Sequence, residues 1–378
     1  MKNLFILVLA FAPTYIMAQV TFDLYSGMDG SLVLENGAST NFWGYGFIGD
    51  EMSLPAPFLN IPLDSDVTIN MTNTSPESHT IHLHGLDVDQ VNDGVPQTSF
   101  FIAPNESGTY QFNANQSGTF LYHCHVTTTL HLTMGMYGMI TVNAPNNKLF
   151  PGGPGFIQEF KFLTSDLDVS VNNAPALAYP FHTIRPDYFM INGLSGDQIT
   201  SDQGINTFSE GATALRIGSM AYSRIVYHFP EELNAVAHMS DGRPIPAFEV
   251  TELEVYPGER FSLIINPFIG FSEPISVEYY SMITGELLAT NFIPVNDLGV
   301  NIHSSSLSDN GVYPNPSHGM SRVFSSLGGK MVIFAPTGRM LNVYNLREGD
   351  NFIDLSAFSS GIYLMQMPDG STLKLIRE

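Results

Sequence analysis

Apolar and polar residues alternate in short runs along most of this chain, as in Val67-Thr68-Ile69-Asn70-Met71 and Gly108-Thr109-Tyr110-Gln111-Phe112. Gly, Pro, Asn and Asp punctuate the runs. A period of two marks strands with one buried face, and no stretch keeps the period of a long helix. The pattern predicts an all-β protein made of antiparallel β-sandwiches. The Gly/Pro-rich segment Pro151-Gly152-Gly153-Pro154-Gly155 and the polar run Ser304-Ser305-Ser306 interrupt it. They divide the chain into domains at 19–148 and 149–297, a linker at 298–310 and a last module at 311–378. Ahead of these, Lys2, the apolar run Leu4 to Ala12 and the small residue Ala18 read as a signal peptide over 1–18, with the mature chain starting near Gln19. No later stretch is long and apolar enough to span a bilayer.

Charge narrows the partners. Acidic residues number 36 against 14 basic ones, a formal charge of −22, which repels nucleic acid and anionic membrane surfaces. The single cysteine rules out an intramolecular disulfide.

That cysteine is the focus of the candidate chemistry. Cys124 lies in Tyr122-His123-Cys124-His125-Val126, with His131 and Met136 following. A thiolate, an imidazole and a thioether from one loop form a soft, mixed ligand set that selects copper, and a second imidazole, His79, completes a blue-copper site of His79, Cys124, His131 and Met136. The rival use of Cys124 is as a nucleophile activated by a neighbouring histidine. His82, His84, His123 and His125 stand in pairs spaced by two, which on strands puts both imidazoles of a pair on one face, and they form a candidate second copper site.

These residues resemble the multicopper oxidase and copper nitrite reductase superfamily. His79-Thr80-Ile81-His82-Leu83-His84-Gly85 is similar to the laccase His-Pro-x-His-Leu-His-Gly motif, and Tyr122-His123-Cys124-His125 to its His-Cys-His motif. His131-Leu132-Thr133-Met134-Gly135-Met136-Tyr137-Gly138 resembles the end of a blue-copper loop, although Thr127-Thr128-Thr129 makes the Cys-to-His gap longer than the laccase pattern. The resemblance implies two cupredoxin-like Greek-key domains, the second lacking most copper ligands. It also implies an oxidoreductase that takes electrons from a small-molecule or protein donor at the blue copper and passes them through His123, Cys124 and His125 to dioxygen at the second site.

A nitrite reductase is the alternative. It would use His84, His123 and His228, the last from a neighbouring subunit of a homotrimer, but the carboxylate such enzymes hold between the early histidines is replaced by His82. A non-catalytic blue-copper shuttle is the third reading. At the C-terminus, Val312-Tyr313-Pro314-Asn315-Pro316, Gly361-Ile362-Tyr363-Leu364 and Lys374-Leu375-Ile376 resemble the type IX secretion sorting domain, a small β-sandwich. It implies the type IX machinery as a partner and export through the periplasm to the cell surface or medium.

Overall fold

A computed structural model describes residues 19–178, 184–199, 204–207, 212–267, 271–297, 311–313, 315–317, 319–335, 340–356, 358–368 and 372–377. The expected signal peptide and linker, and His182, His303 and His318, lie outside these residues. The chain divides into two compact units, residues 1–300 and 301–378. No described helix is long and apolar enough to cross a membrane.

The first part of unit one contains β1 (Gln19–Val33), β2 (Ser39–Phe47), β3 (Leu59–Pro62), β4 (Asp66–Asn73), β5 (His82–His84), β6 (Ser107–Asn113) and β7 (Gly118–His123), then helix α1 (Thr128–Thr133) and β8 (Tyr137–Asn143). The strands form two sheets, ordered β2-β1-β4-β6 and β3-β8-β7-β5. Leu24, Ile69 and Tyr110 of one sheet and Leu59, Phe120, Tyr122 and Ile140 of the other share one buried core. Each such fully buried apolar side chain contributes about 1.5–3 kcal/mol.

The second part contains β9 (Gln158–Leu167), β10 (Tyr188–Ile191), β11 (Ile205–Thr207), β12 (Thr213–Ser219), β13 (Arg224–His228), β14 (Val236–Ser240), β15 (Arg243–Glu249), β16 (Glu252–Val255), β17 (Arg260–Ile265), β18 (Ile275–Tyr280), β19 (Leu287–Ile293) and β20 (Val295–Asp297). A sheet ordered β10-β9-β12-β17-β14-β15 faces one ordered β16-β13-β18-β19, across a core that includes Leu215, Leu263, Tyr227 and Val277. The antiparallel expectation needs correction, because β1 with β4, β3 with β8, β9 with β12 and β11 with β20 run parallel. Alternation shows which face a residue takes but carries no strand direction, so the sequence pattern was blind to these pairs.

Contact between the two sandwiches explains why β7 is buried along its whole length. Phe120, Tyr122 and the following Cys124 point into the first core. Leu121, on the opposite face with Thr119 and His123, packs with Tyr137 and Met139 against Leu163 and Met190 of the second sandwich, and Thr119 Oγ1 bonds Ser262 Oγ at 3.0 Å.

Unit two contains β21 (Gly311–Tyr313), β22 (Met320–Ser325), β23 (Gly329–Phe334), β24 (Met340–Leu346), β25 (Gly349–Asp354), β26 (Gly361–Gln366) and β27 (Thr372–Arg377). Its sheets, β21-β22-β25 and β24-β23-β26-β27, enclose a core around Val323, Ile333, Ile353 and Met365.

Candidate metal centres

Side-chain parity on β5 and β7 separates the candidate donors into two groups. Ile81 and Leu83 join the first core, as do Tyr122 and Cys124, and His79 is fully buried. His82, His84 and His123 take the other face, where His84 and His123 border residues of the second sandwich. The strands are paired directly, His82 opposite His123 and His84 opposite Leu121.

In the first group Cys124 Sγ lies 3.0 Å from His131 Nδ1 and 3.7 Å from His79 Nδ1. All three side chains are buried, and their donor atoms lie within 4.8 Å of one another. Hydrogen bonds between His79 and Ile102, N to O in both directions, fix the strand entry. Thr127, in the left-handed region at φ 44°, starts α1. Its carbonyl accepts the His131 N–H, so the residues that lengthen the Cys-to-His gap form a helical turn that returns His131 to the sulfur. Gly135 leaves the helix at φ +108°, where a Cβ would sit 2.7 Å from Leu54 Cδ1, and only glycine fits there. Met136 is fully buried and its carbonyl accepts the Cys124 N–H at 3.1 Å. Met134, also buried, gives its carbonyl to the Trp43 N–H.

Burial pushes the Cys124 thiol up and lowers His131, while it takes His79 down to about 3. The uncharged forms therefore prevail in the metal-free fold. His79 Nε2 has no hydrogen-bond partner among the described residues, and His131 Nε2 makes only a poorly aligned 3.4 Å contact with Glu77 Oε2. Trp43 meets the His131 ring edge-on, centroids 5.5 Å apart. The Tyr45 hydroxyl, buried beside Cys124, donates to the Thr80 carbonyl at 2.6 Å. One soft sulfur and two unprotonated nitrogens converging in a dry core fit a copper ion.

The second group comprises His82, His84 and His123, whose donor atoms also lie within 4.8 Å of one another. His84 Nδ1 is 3.3 Å from His123 Nε2. His82 Nδ1 is 2.8 Å from the Asp93 carbonyl and His123 Nδ1 is 3.0 Å from the Cys124 carbonyl. A carbonyl only accepts, so Nδ1 carries the proton in both rings and Nε2 is left as the donor to a metal. Burial lowers His84 to about 4 and His123 to about 3. β7 ends at His123, so His125 lies beyond the strand and outside the three-donor group. Its ring lies 5.2 Å from that of His82 and stacks on His123 at 6.0 Å.

Beside His84 and His123 is a cavity of about 160 Å³, closed by Leu132 and by Met220, Ala221, Tyr222, Pro257 and Gly258 of the second sandwich. His228 belongs to neither group. It lies on β13 with Nε2 2.9 Å from Glu278 and Nδ1 3.7 Å from Glu252.

Three neighbours escaped the sequence reading. Asp93 Oδ1 lies 3.4 Å from His82 Nδ1, Glu77 faces His131, and Arg260 of the second sandwich stands behind His84. Each is brought in by a loop or a distant strand. Asp93 lies in Asn92-Asp93-Gly94, where Gly94 at φ +77° passes so close that a Cβ would sit 1.9 Å from Ile81 O.

Residues 39–147 match the multicopper oxidase family model, and residues 311–377 match that of the secretion system C-terminal sorting domain. Laccase-1 of Cryptococcus neoformans var. neoformans serotype D is 27% identical over 238 residues, 56% of this chain and 37% of the laccase. A copper-containing nitrite reductase of Neisseria meningitidis serogroup B is 24% identical over 197 residues, 50% of this chain and 47% of the reductase. The chain thus spans less than half the length of either relative. Among solved structures, the blue copper oxidase from Nitrosomonas europaea superposes with a TM-score of 0.61 at 25% identity, covering 74% of this chain and 86% of that one. Copper is the cofactor that the family and both donor groups call for, and the sorting domain marks the chain for export to the cell surface or medium.

Proposed function

We propose, for a chain that carries a multicopper oxidase domain and a C-terminal sorting domain, a copper-dependent oxidoreductase that takes electrons at one donor group and delivers them to dioxygen at the other. His79, Cys124, His131 and Met136 hold the electron-accepting copper. His82, His84, His123 and His125 hold the copper of the second centre. The observation that supports this is at the end of β7, where consecutive residues, His123 and Cys124, serve different groups. Bound copper supplies one-electron redox chemistry at each group.

The protein's own part is positional. One peptide bond and the contact of His123 Nδ1 with the Cys124 carbonyl join the two groups by a short, rigid path. Burial keeps water from the sulfur. Carbonyls of Asp93 and Cys124 hold His82 and His123 with Nε2 unprotonated. The small, mostly apolar cavity at His84 and His123 admits a diatomic acceptor. On the donor side, a cavity of about 760 Å³ lined by Thr129 of α1, Ile184, Tyr222, Met282 and Leu288 offers room for a small organic reductant.

Nitrite reduction is the second reading. It is favoured by the Asp93 carboxylate beside His82, which supplies the acid that the sequence pattern lacked. In it His228 joins from a neighbouring subunit of a homotrimer. Copper analysis of the loaded chain separates the readings: at least three ions per chain for the oxidase, two for the reductase, and one for a shuttle without a catalytic site. Dioxygen and nitrite consumption then identify the acceptor, and particle mass in solution tests the trimer.

A further inference from the structure

Among the described residues the second sandwich contributes no imidazole to the wall around His84, but it does contribute a cation. Arg260, the first residue of β17, is 5% exposed. Its guanidinium lies over Gly85, the residue after His84, so closely that a Cβ there would be 2.2 Å from Nη2 and 3.0 Å from Cζ. The same loop brings Gly258 against His84, where a Cβ would lie 3.2 Å from Cε1. Arg260 Nη1 donates to the Gly258 carbonyl at 2.6 Å and lies 3.0 Å from Asp241 Oδ1, and Nε has no partner among the described residues.

The two ends of this ion pair differ in burial. Asp241 has a side chain 47% exposed, so water screens its charge. The guanidinium lies inside and keeps its proton at any working pH. Fields of buried charges are screened least, so of this pair the guanidinium acts the more strongly on His84.

We propose that Arg260 is a specificity-determining residue of the second centre, setting its affinity for small anions such as azide, nitrite and hydroxide. This rests on the reading that the centre binds copper. A fixed positive charge beside an imidazole ligand favours an anion over a neutral molecule at the remaining coordination position, because the anion gains Coulomb energy that the neutral molecule does not. In a chain of net charge −22, which repels anions at long range, the guanidinium is a fixed positive charge beside the residue that follows His84.

The test is an azide titration of the copper-loaded full chain, followed by the azide-to-copper charge-transfer absorption, with copper content measured in each sample. Arg260→Gln is expected to weaken azide binding about tenfold, or about 1.4 kcal/mol. Asp241→Asn, which leaves the cation uncompensated, is expected to tighten it severalfold. A role limited to holding the Gly258 loop predicts no tightening in Asp241→Asn. Affinity unchanged in that variant, or moving the same way in both, overturns the proposal. If Arg260→Gln does not fold, Asp241→Asn decides alone. A wild-type chain that loads one copper and shows no azide band overturns the two-centre reading and the proposal with it, whereas a fully loaded chain indifferent to both substitutions overturns only the proposal.

Discussion

Removing copper should leave a protein that is unusually sensitive to mild acid. His79, His84 and His123 are held at about 3, 4 and 3 by burial, while in the unfolded chain each titrates near its ordinary 6.5. Below that value the unfolded state binds protons that the folded state refuses, so stability falls as pH falls. Between pH 7 and pH 5 each imidazole costs about 1.9 kcal/mol, and the three together about 5.6 kcal/mol. Asp166 opposes them. Burial raises its carboxyl to about 6, so the folded state takes up the extra proton first and gains about 1.3 kcal/mol over the same interval. The net loss, about 4 kcal/mol, is a large part of the 5–15 kcal/mol of a typical domain. Urea unfolding of chelator-treated protein at both pH values measures it. Trp43, the sole tryptophan and 6% exposed, reports on the domain that holds the imidazoles. His84→Gln should remove about a third of the imidazole loss. A metal-free chain equally stable at pH 7 and pH 5 refutes the assignment of buried, neutral histidines.

Three further outcomes follow from the same geometry. Copper(II) added to the metal-free chain should quench Trp43 through the adjacent His131 ring, and Cys124→Ala should weaken that quenching transition at least tenfold and abolish the copper–thiolate absorption. Tyr45→Phe removes the hydroxyl that serves the Thr80 carbonyl and should cost about 1 kcal/mol in urea unfolding, with the His125 N–H bond to Thr80 Oγ1 retained. Gly94→Ala, whose Cβ would collide with Ile81 O, should displace Asp93 from His82 and lower copper content at the second group, while copper-dependent quenching of Trp43 persists.

The chemistry was legible in the chain because its donors are rare and concentrated: one cysteine, and six of eleven histidines between residues 79 and 131. Alternation around Leu83 was enough to place His82 and His84 on one face. The same rule could not reach His125, because the strand stops at His123 and backbone beyond a strand has no period. Nor could it show that residues 128–133 would coil into a helix, since six residues are too few to display a helical repeat. No local pattern tied Glu77 or Arg260 to the donors. Their positions depend on a loop and on a strand of another sandwich, and long-range packing of that kind is not written in local spacing.

The thirteen residues from Cys124 to Met136 carry all but one of the donors proposed for the first centre, and they are bracketed by β7 and β8, which pair along six positions. The scaffold and the variable insert are therefore separable. A loop of different length grafted between those two strands would retune colour and potential at one copper while the histidines across the sheet stayed where they are.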